Sequence, residues 1–150
     1  MFFSSVLLSG IAQAEPMVRL TPEKNDFLAD GTYRLQVVIE QFPRIEGGGL
    51  NLQFNPSVLN VVSVQVDNGA WGFVSRNGEI DNEAGQVTDI VFSSFPGVSG
   101  NAAIATIEIK AIKPGRSLLK LSESMLNPFA SDGESVQVTF KDAQAKVRGH

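Results

Sequence analysis

Alternation is the constraint that governs this chain. In TYRLQVVIE, Thr32 to Glu40, the residues Tyr33, Leu35, Val37 and Ile39 fall on one face of an extended chain, while Arg34, Gln36 and Glu40 fall on the other. Successive side chains of a strand point to opposite faces, so this pattern predicts a half-buried strand and does not suit a helix. The same period returns in GLNLQF, where Leu50, Leu52 and Phe54 alternate with Asn51 and Gln53. VLNVVSVQV, QVTDIVFSSF, AAIATIEIKAI, SLLKLSES and SVQVTF follow, each separated from the next by Gly, Pro, Asn or Asp. Turn signals stand at Asp30-Gly31, Asn77-Gly78, Ala84-Gly85, Lys113-Pro114-Gly115 and Asp132-Gly133. Many short strands at this spacing predict an all-β sandwich or jelly roll.

A chain of 150 residues with 43% hydrophobic content can bury one ordinary core but not two. The first residues, MFFSSVLLSGIAQAEP, hold an apolar stretch from Phe2 to Ala12 and then the small-x-small pattern Ala12-Gln13-Ala14. That pattern suits the narrow pockets of a signal peptidase and predicts an export signal over residues 1–14, cleavage after Ala14, and a secreted or periplasmic domain over 15–150. No Lys or Arg precedes the apolar run. Either the signal begins further upstream or the segment is something else, such as a buried strand. As a helix the run is too short to span a bilayer.

Composition removes several function classes. With no cysteine there is no disulfide framework, thiolate nucleophile or thiolate metal site. The sole histidine is His150, at a chain end that makes a poor catalytic base. A net charge of −4 without a run of Lys or Arg lacks the sequence footprint of a nucleic-acid or anionic-membrane binder. Glu79, Asp81 and Glu83 could gather a calcium ion, but they lack the spacing of a calcium loop, and a solvated hairpin accounts for them. No nucleophile–base pair or metal constellation can be assembled, so the expectation is a protein that is not an enzyme and needs no cofactor.

Three blocks give the chain a family resemblance. In LNLQFNPSVLNVVSV an alternating strand is closed by Asn55-Pro56, and Val58-Leu59 opens the next strand. AAIATIEIKAIKPGRSLLKLSES follows as strand, glycine turn and strand, and MLNPFASDGESVQVTFKDAQAKV closes the chain. In this order they resemble the cohesin domains, receptor modules of bacterial cellulosome scaffolds, over about Val18 to Val147. The resemblance implies a nine-stranded jelly-roll β-sandwich. The residues themselves explain the Asn55-Pro56 step: proline cannot donate to a ladder, and Asn55 before it is biased toward extended geometry and can bond its own turn.

The resemblance also proposes a contact surface. In dockerin-binding cohesins the strand before the Asx-Pro turn carries an Asn and an Asp two residues apart. Laid on this chain, those positions fall at Gly47 and Gly49, so both polar contacts are missing. If Leu50, Leu52 and Phe54 point inward, then Gly47, Gly49, Asn51 and Gln53 point outward. Two readings of GGG stay open: an irregular, bulged start to the strand, or a flat face on which another chain or a sugar ring lies close. Asp89 and Ser93 belong to the neighbouring strand of the same binding sheet in the resemblance. Trp71, in NGAWGF, is the single tryptophan; it is either a sugar-stacking platform or a plug over the core edge. The expected function is an exported binding module whose partner is a dockerin-like protein, in an assembly linked to polysaccharide breakdown. The alternative is direct binding of a polysaccharide.

Overall fold

The computed structural model describes residues 16–149; the export signal expected over 1–14 and His150 lie outside the described residues. The described chain forms β1 (Met17–Thr21), β2 (Lys24–Leu28), β3 (Thr32–Gln53), β4 (Leu59–Val66), β5 (Ser75–Asp81), β6 (Gln86–Ala111), β7 (Gly115–Glu123), β8 (Ala130–Ser131), β9 (Glu134–Ser135), β10 (Thr139–Lys141) and β11 (Ala143–Arg148). The expected all-β jelly-roll sandwich is what the chain adopts.

Strands β3 and β6 run antiparallel along their whole lengths, from Thr32 opposite Lys110 to Gln53 opposite Gln86. Each half of this long pair has different outer neighbours. The first half of β3 pairs with β1, which also pairs with β10, and the second half of β6 pairs with β4. At the other end, Leu50 to Gln53 of β3 pair with β7, and Gln86 to Phe92 of β6 pair with β5. Beyond β7 come β11 and then β2. Register shifts cluster between Ile39 and Gly47, where the pair passes from one layer to the other. Asn77 of β5 accepts the Val66 amide through Oδ1 at 2.9 Å, and Asn82 clasps Val61 in the same way at 2.8 Å, so β5 and β4 close one side of the sandwich. The terminal strands close the other side, β1 parallel to β10 in one layer and β2 parallel to β11 in the other. Counting the two passages of β3 and of β6 separately, and the interrupted pairs β1/β2 and β10/β11 once each, gives the nine strands of the jelly roll. The short β8–β9 hairpin is additional.

The interior follows the alternation. Leu35, Val37 and Ile39 from one layer face Leu50, Leu52 and Phe54 from the other, and all six are buried. Phe92 sits at the centre, edge-on to Trp71 at 4.7 Å and to Phe129 at 5.3 Å between ring centroids. Such pairs add about 0.5–1.5 kcal/mol to the burial of the rings themselves. Among the described residues no buried side-chain polar atom lacks a hydrogen-bond partner.

Three local expectations are corrected. TYRLQVVIE and GLNLQF form one strand, as do QVTDIVFSSF and AAIATIEIKAI, because the residues between them bend the ladder without ending it. Asn77-Gly78 is no hairpin turn: it lies inside β5, where Gly78 takes a φ of 87° and Asn77 caps the neighbouring strand. SVQVTF is not one strand, since the ladder lapses over 136–138 between β9 and β10; the strand that closes the chain is β11, held between β2 and β7 and burying Ala143, Ala145 and Val147.

Two measurements check this packing. Phe92→Ala is expected to lower the unfolding free energy by about 3–5 kcal/mol in urea titration, whereas Leu118→Ala, on the exposed side of β7, shifts it by about 0.5 kcal/mol or less. Arg19 grips Glu40 through two bonds of 3.0 and 2.8 Å, which hold the Glu40 carboxyl below its ordinary pKa. A lowered pKa in the folded state stabilises above the ordinary carboxylate range and is lost as pH falls through the lowered value. Glu40→Gln therefore costs about 0.5–1 kcal/mol at neutral pH, and its unfolding curve converges with that of the parent in acid.

Candidate functional site

The layer formed by β5, the first half of β6, the second half of β3, β7, β11 and β2 presents one long outer face. Register assigns its rows. Gly47 of β3 lies between Ser93 of β6 and Ala130 of β8, and Gly49 lies opposite Val91, which lies opposite Arg76 of β5. Beyond Ser93, the Val74 backbone brackets the serine hydroxyl: Ser93 Oγ accepts from Val74 N at 2.9 Å and donates to Val74 O at 2.7 Å.

The glycines are needed for close approach, not for unusual torsion angles. A Cβ on Gly47 would stand 2.8 Å from the Phe92 carbonyl oxygen, and one on Gly48 would stand 2.8 Å from the Phe129 ring. A Cβ on Gly49 would meet Asn127 Cβ at 2.8 Å and Ser124 Cβ at 3.0 Å. The turn after β7 folds back over the strand here, anchored by a bond from Ser124 N to the Gly49 carbonyl at 2.9 Å. Gly49 points outward as the alternation predicts, yet it lies buried under this turn. The flat floor is thus narrower than three bare glycines suggest, and Gly47 is its accessible part.

The polar candidates are engaged with one another. Asp89 adopts a φ of 57° and forms a bulge against Asn51, whose Oδ1 accepts the Asp89 amide at 2.9 Å. Ser124 Oγ donates to Asp89 Oδ1 at 2.6 Å, which ties the covering turn to the same bulge. Asn51, Asp89 and Ser124 therefore brace the face from within. Gln53 is exposed, beside Lys120 of β7.

Trp71 requires a correction. Its ring is 0% exposed and its Nε1 donates to the Ala103 carbonyl at 2.9 Å. It plugs the core edge and cannot stack on a sugar, because both ring faces are covered by protein.

Sequence reasoning missed the apolar side chains that border the floor. Phe73 and Phe95 are 67% and 80% exposed, with ring centroids 6.2 Å apart, and Val74 lies beside them. On the opposite border, Met125 and Leu126 are 95% and 81% exposed at the crest of the turn over Gly49. Phe73, Val74, Met125 and Leu126 belong to loops, where no alternation marks them; the one available signal was the unbroken apolar pairs Phe73-Val74 and Met125-Leu126 between polar or turn residues. From Val74 across Ser93 and Gly47 to Ala130 is three strand spacings, about 14 Å, which is close to the width of one α-helix with its side chains.

The described chain is thus a β-sandwich with one flat outer face bordered by exposed apolar side chains. No family model matches the chain, and no curated protein matches it in sequence. Solved structures do match its fold, and they are cohesin domains. Coh-OlpC of Clostridium thermocellum, solved in a type I cohesin–dockerin complex, superposes with a TM-score of 0.76 at 13% identity, over 93% of this chain and 97% of that one. The sixth cohesin of scaffoldin B from Acetivibrio cellulolyticus, in complex with a dockerin, gives 0.73 at 8% identity over 90% and 100%. A non-cellulosomal cohesin from the archaeon Archaeoglobus fulgidus gives 0.71 at 16% identity over 90% and 92%. This chain has the cohesin fold.

Placing an aspartate at position 49 tests the covering turn. Gly49→Asp is expected to destabilise the domain by about 1–3 kcal/mol and to increase proteolysis between Ser124 and Phe129. Asn51→Ala, which frees the Asp89 amide, costs about 1 kcal/mol in the same unfolding assay.

Proposed function

We propose that this protein is an exported, non-catalytic receptor module that holds a dockerin-type partner against the outer face of β5, β6 and β3, in an assembly linked to polysaccharide breakdown. The observation that carries the proposal is the pairing of a side-chain-free floor at Gly47 with exposed apolar side chains on both borders. Stable interfaces place apolar and aromatic anchors at their centre and polar groups at the rim. A helix laid on Gly47 would reach Phe73, Val74 and Phe95 on one side and Met125 and Leu126 on the other. The cohesin fold, solved repeatedly with dockerins bound, supports a partner of that kind. Gly47 and Gly49 replace the polar pair expected from the resemblance, so recognition here rests on apolar contact, with Gln53 at the polar edge.

Calorimetric titration of the mature domain with dockerin modules encoded in the same genome tests the proposal. At least one is expected to bind with a Kd near or below about 1 μM, and Phe73→Asp with Phe95→Asp is expected to weaken it about 100-fold, on the scale of hot-spot truncation. Failure of every dockerin to bind, or binding indifferent to both borders, removes the reading. Trp71, being buried, takes no part in the alternative of direct polysaccharide binding.

A further inference from the structure

We propose that the far half of the same sheet, the outer face of β7, β11 and β2, is a binding site for a polysaccharide bearing carboxylates, a uronate chain. A shallow groove of about 470 Å³ runs across these strands, its outward wall formed by Lys24, Asp26, Arg116, Leu118, Gln144 and Lys146. Their inward neighbours Phe27, Ser117, Leu119, Ala143 and Ala145 are buried, so parity fixes the charged side chains on the solvent side. Register places Lys146 directly between Asp26 and Arg116, and Gln144 between Lys24 and Leu118.

Charge on this face is one-sided. The single acid lining the groove, Asp26, faces Arg148 Nε at 3.5 Å. Lys24, Arg116 and Lys146 have no ion-pair partner among the described residues, and neither has Lys120, further along β7. Four unanswered cations on one face of a protein with a net charge of −4 are a local surplus of positive charge. An anion bound across them lowers their mutual repulsion.

The form of the groove selects the anion. Directly opposed side chains on neighbouring strands stand about 5 Å apart and diagonal ones about 7–8 Å, so the cations are spread along a track and do not converge on one small ion. The groove walls hold no aromatic side chain on which nucleic-acid bases could stack. Leu118 is the only large apolar side chain on the walls, too little for the centre of a protein interface. Cations at the scale of successive sugar rings, with the Gln144 amide between them for hydroxyl groups, suit a hydrated polymer with a carboxylate on each residue.

Affinity electrophoresis and calorimetry with oligogalacturonate and with oligoalginate test the site, and the two arms distinguish the sources of the same chemistry. Binding is expected to at least one, absent for cello- and xylo-oligosaccharides, and weaker for a single-stranded oligonucleotide of equal charge. With three contacts, raising salt from about 50 to 200 mM should weaken it roughly 20- to 40-fold if each releases counterions as a phosphate contact does. The triple variant K24Q/R116Q/K146Q should lose at least tenfold in affinity while keeping its melting temperature, and Lys146→Gln alone should lose part of it. The control R34Q/K110Q, on the outer face of the other layer, should bind as the parent does. Equal binding of neutral oligosaccharides, a preference for the oligonucleotide, an unaffected triple variant, or no uronate binding would each overturn the proposal. The F73D/F95D variant should leave uronate binding unchanged, so failure here is separable from failure of the dockerin reading.

Discussion

The pairing of β3 with β6 is the interaction on which the molecule depends. One antiparallel ladder, from Thr32 opposite Lys110 to Gln53 opposite Gln86, supplies the central strands of both layers. Every other long strand except β11 and β2 attaches to one of its edges. Because the ladder bends without breaking, the inward residues of its two halves face each other, and the core is largely the space the bend encloses. The irregular stretch between Ile39 and Gly47 is thus the hinge of the architecture, and Arg44 reinforces it. That side chain donates to the Pro96 carbonyl through Nε at 2.8 Å and binds Asp132 through Nη1 at 3.0 Å, with Glu46 as a third partner.

The glycines beside this bend show how close packing shapes a surface. Each lacks a side chain because something already occupies the place: a carbonyl at Gly47, a phenyl ring at Gly48, a turn at Gly49. The bare position at Gly49 lets the turn after β7 settle on the sheet, and that turn carries Met125 and Leu126 in solvent. A missing side chain on the strand and an apolar border beside it therefore go together. Asn51 and Asp89, which a reading by position alone would give to a partner, hold the bulge that keeps this arrangement rigid.

Much of the fold was legible because alternation records burial directly. Leu35, Val37, Ile39, Leu50, Leu52 and Phe54 all lie where the period of two places them, and Asn55 bonds its own turn, its Oδ1 accepting from Ser57 N at 3.0 Å. The burial of Trp71, one of its two readings, suited its small neighbours. What the sequence could not show arises from contacts between distant segments. The cover on Gly49 comes from residues about 75 positions later. Cations dispersed as Lys24, Arg116, Lys120 and Lys146 become neighbours only when β2, β7 and β11 align. A chain without a basic run can still fold into a basic face.

The parallel pairing of the first and last strands has a mechanical consequence. Met17 lies beside Thr139 and Arg148 lies beside Leu28, so the described chain begins at one pole of the sandwich and ends at the other. Tension applied between those poles acts along β1 and β11, while their ladder bonds to β10 and β2 run across the strands. The load is then shared by whole ladders in shear instead of reaching the bonds one at a time as in unzipping. A domain clasped in this way transmits force end to end through its backbone scaffold, while the face proposed for the protein partner, on β5, β6 and β3, stays off the line of pull and the basic face lies on the loaded pair β11 and β2.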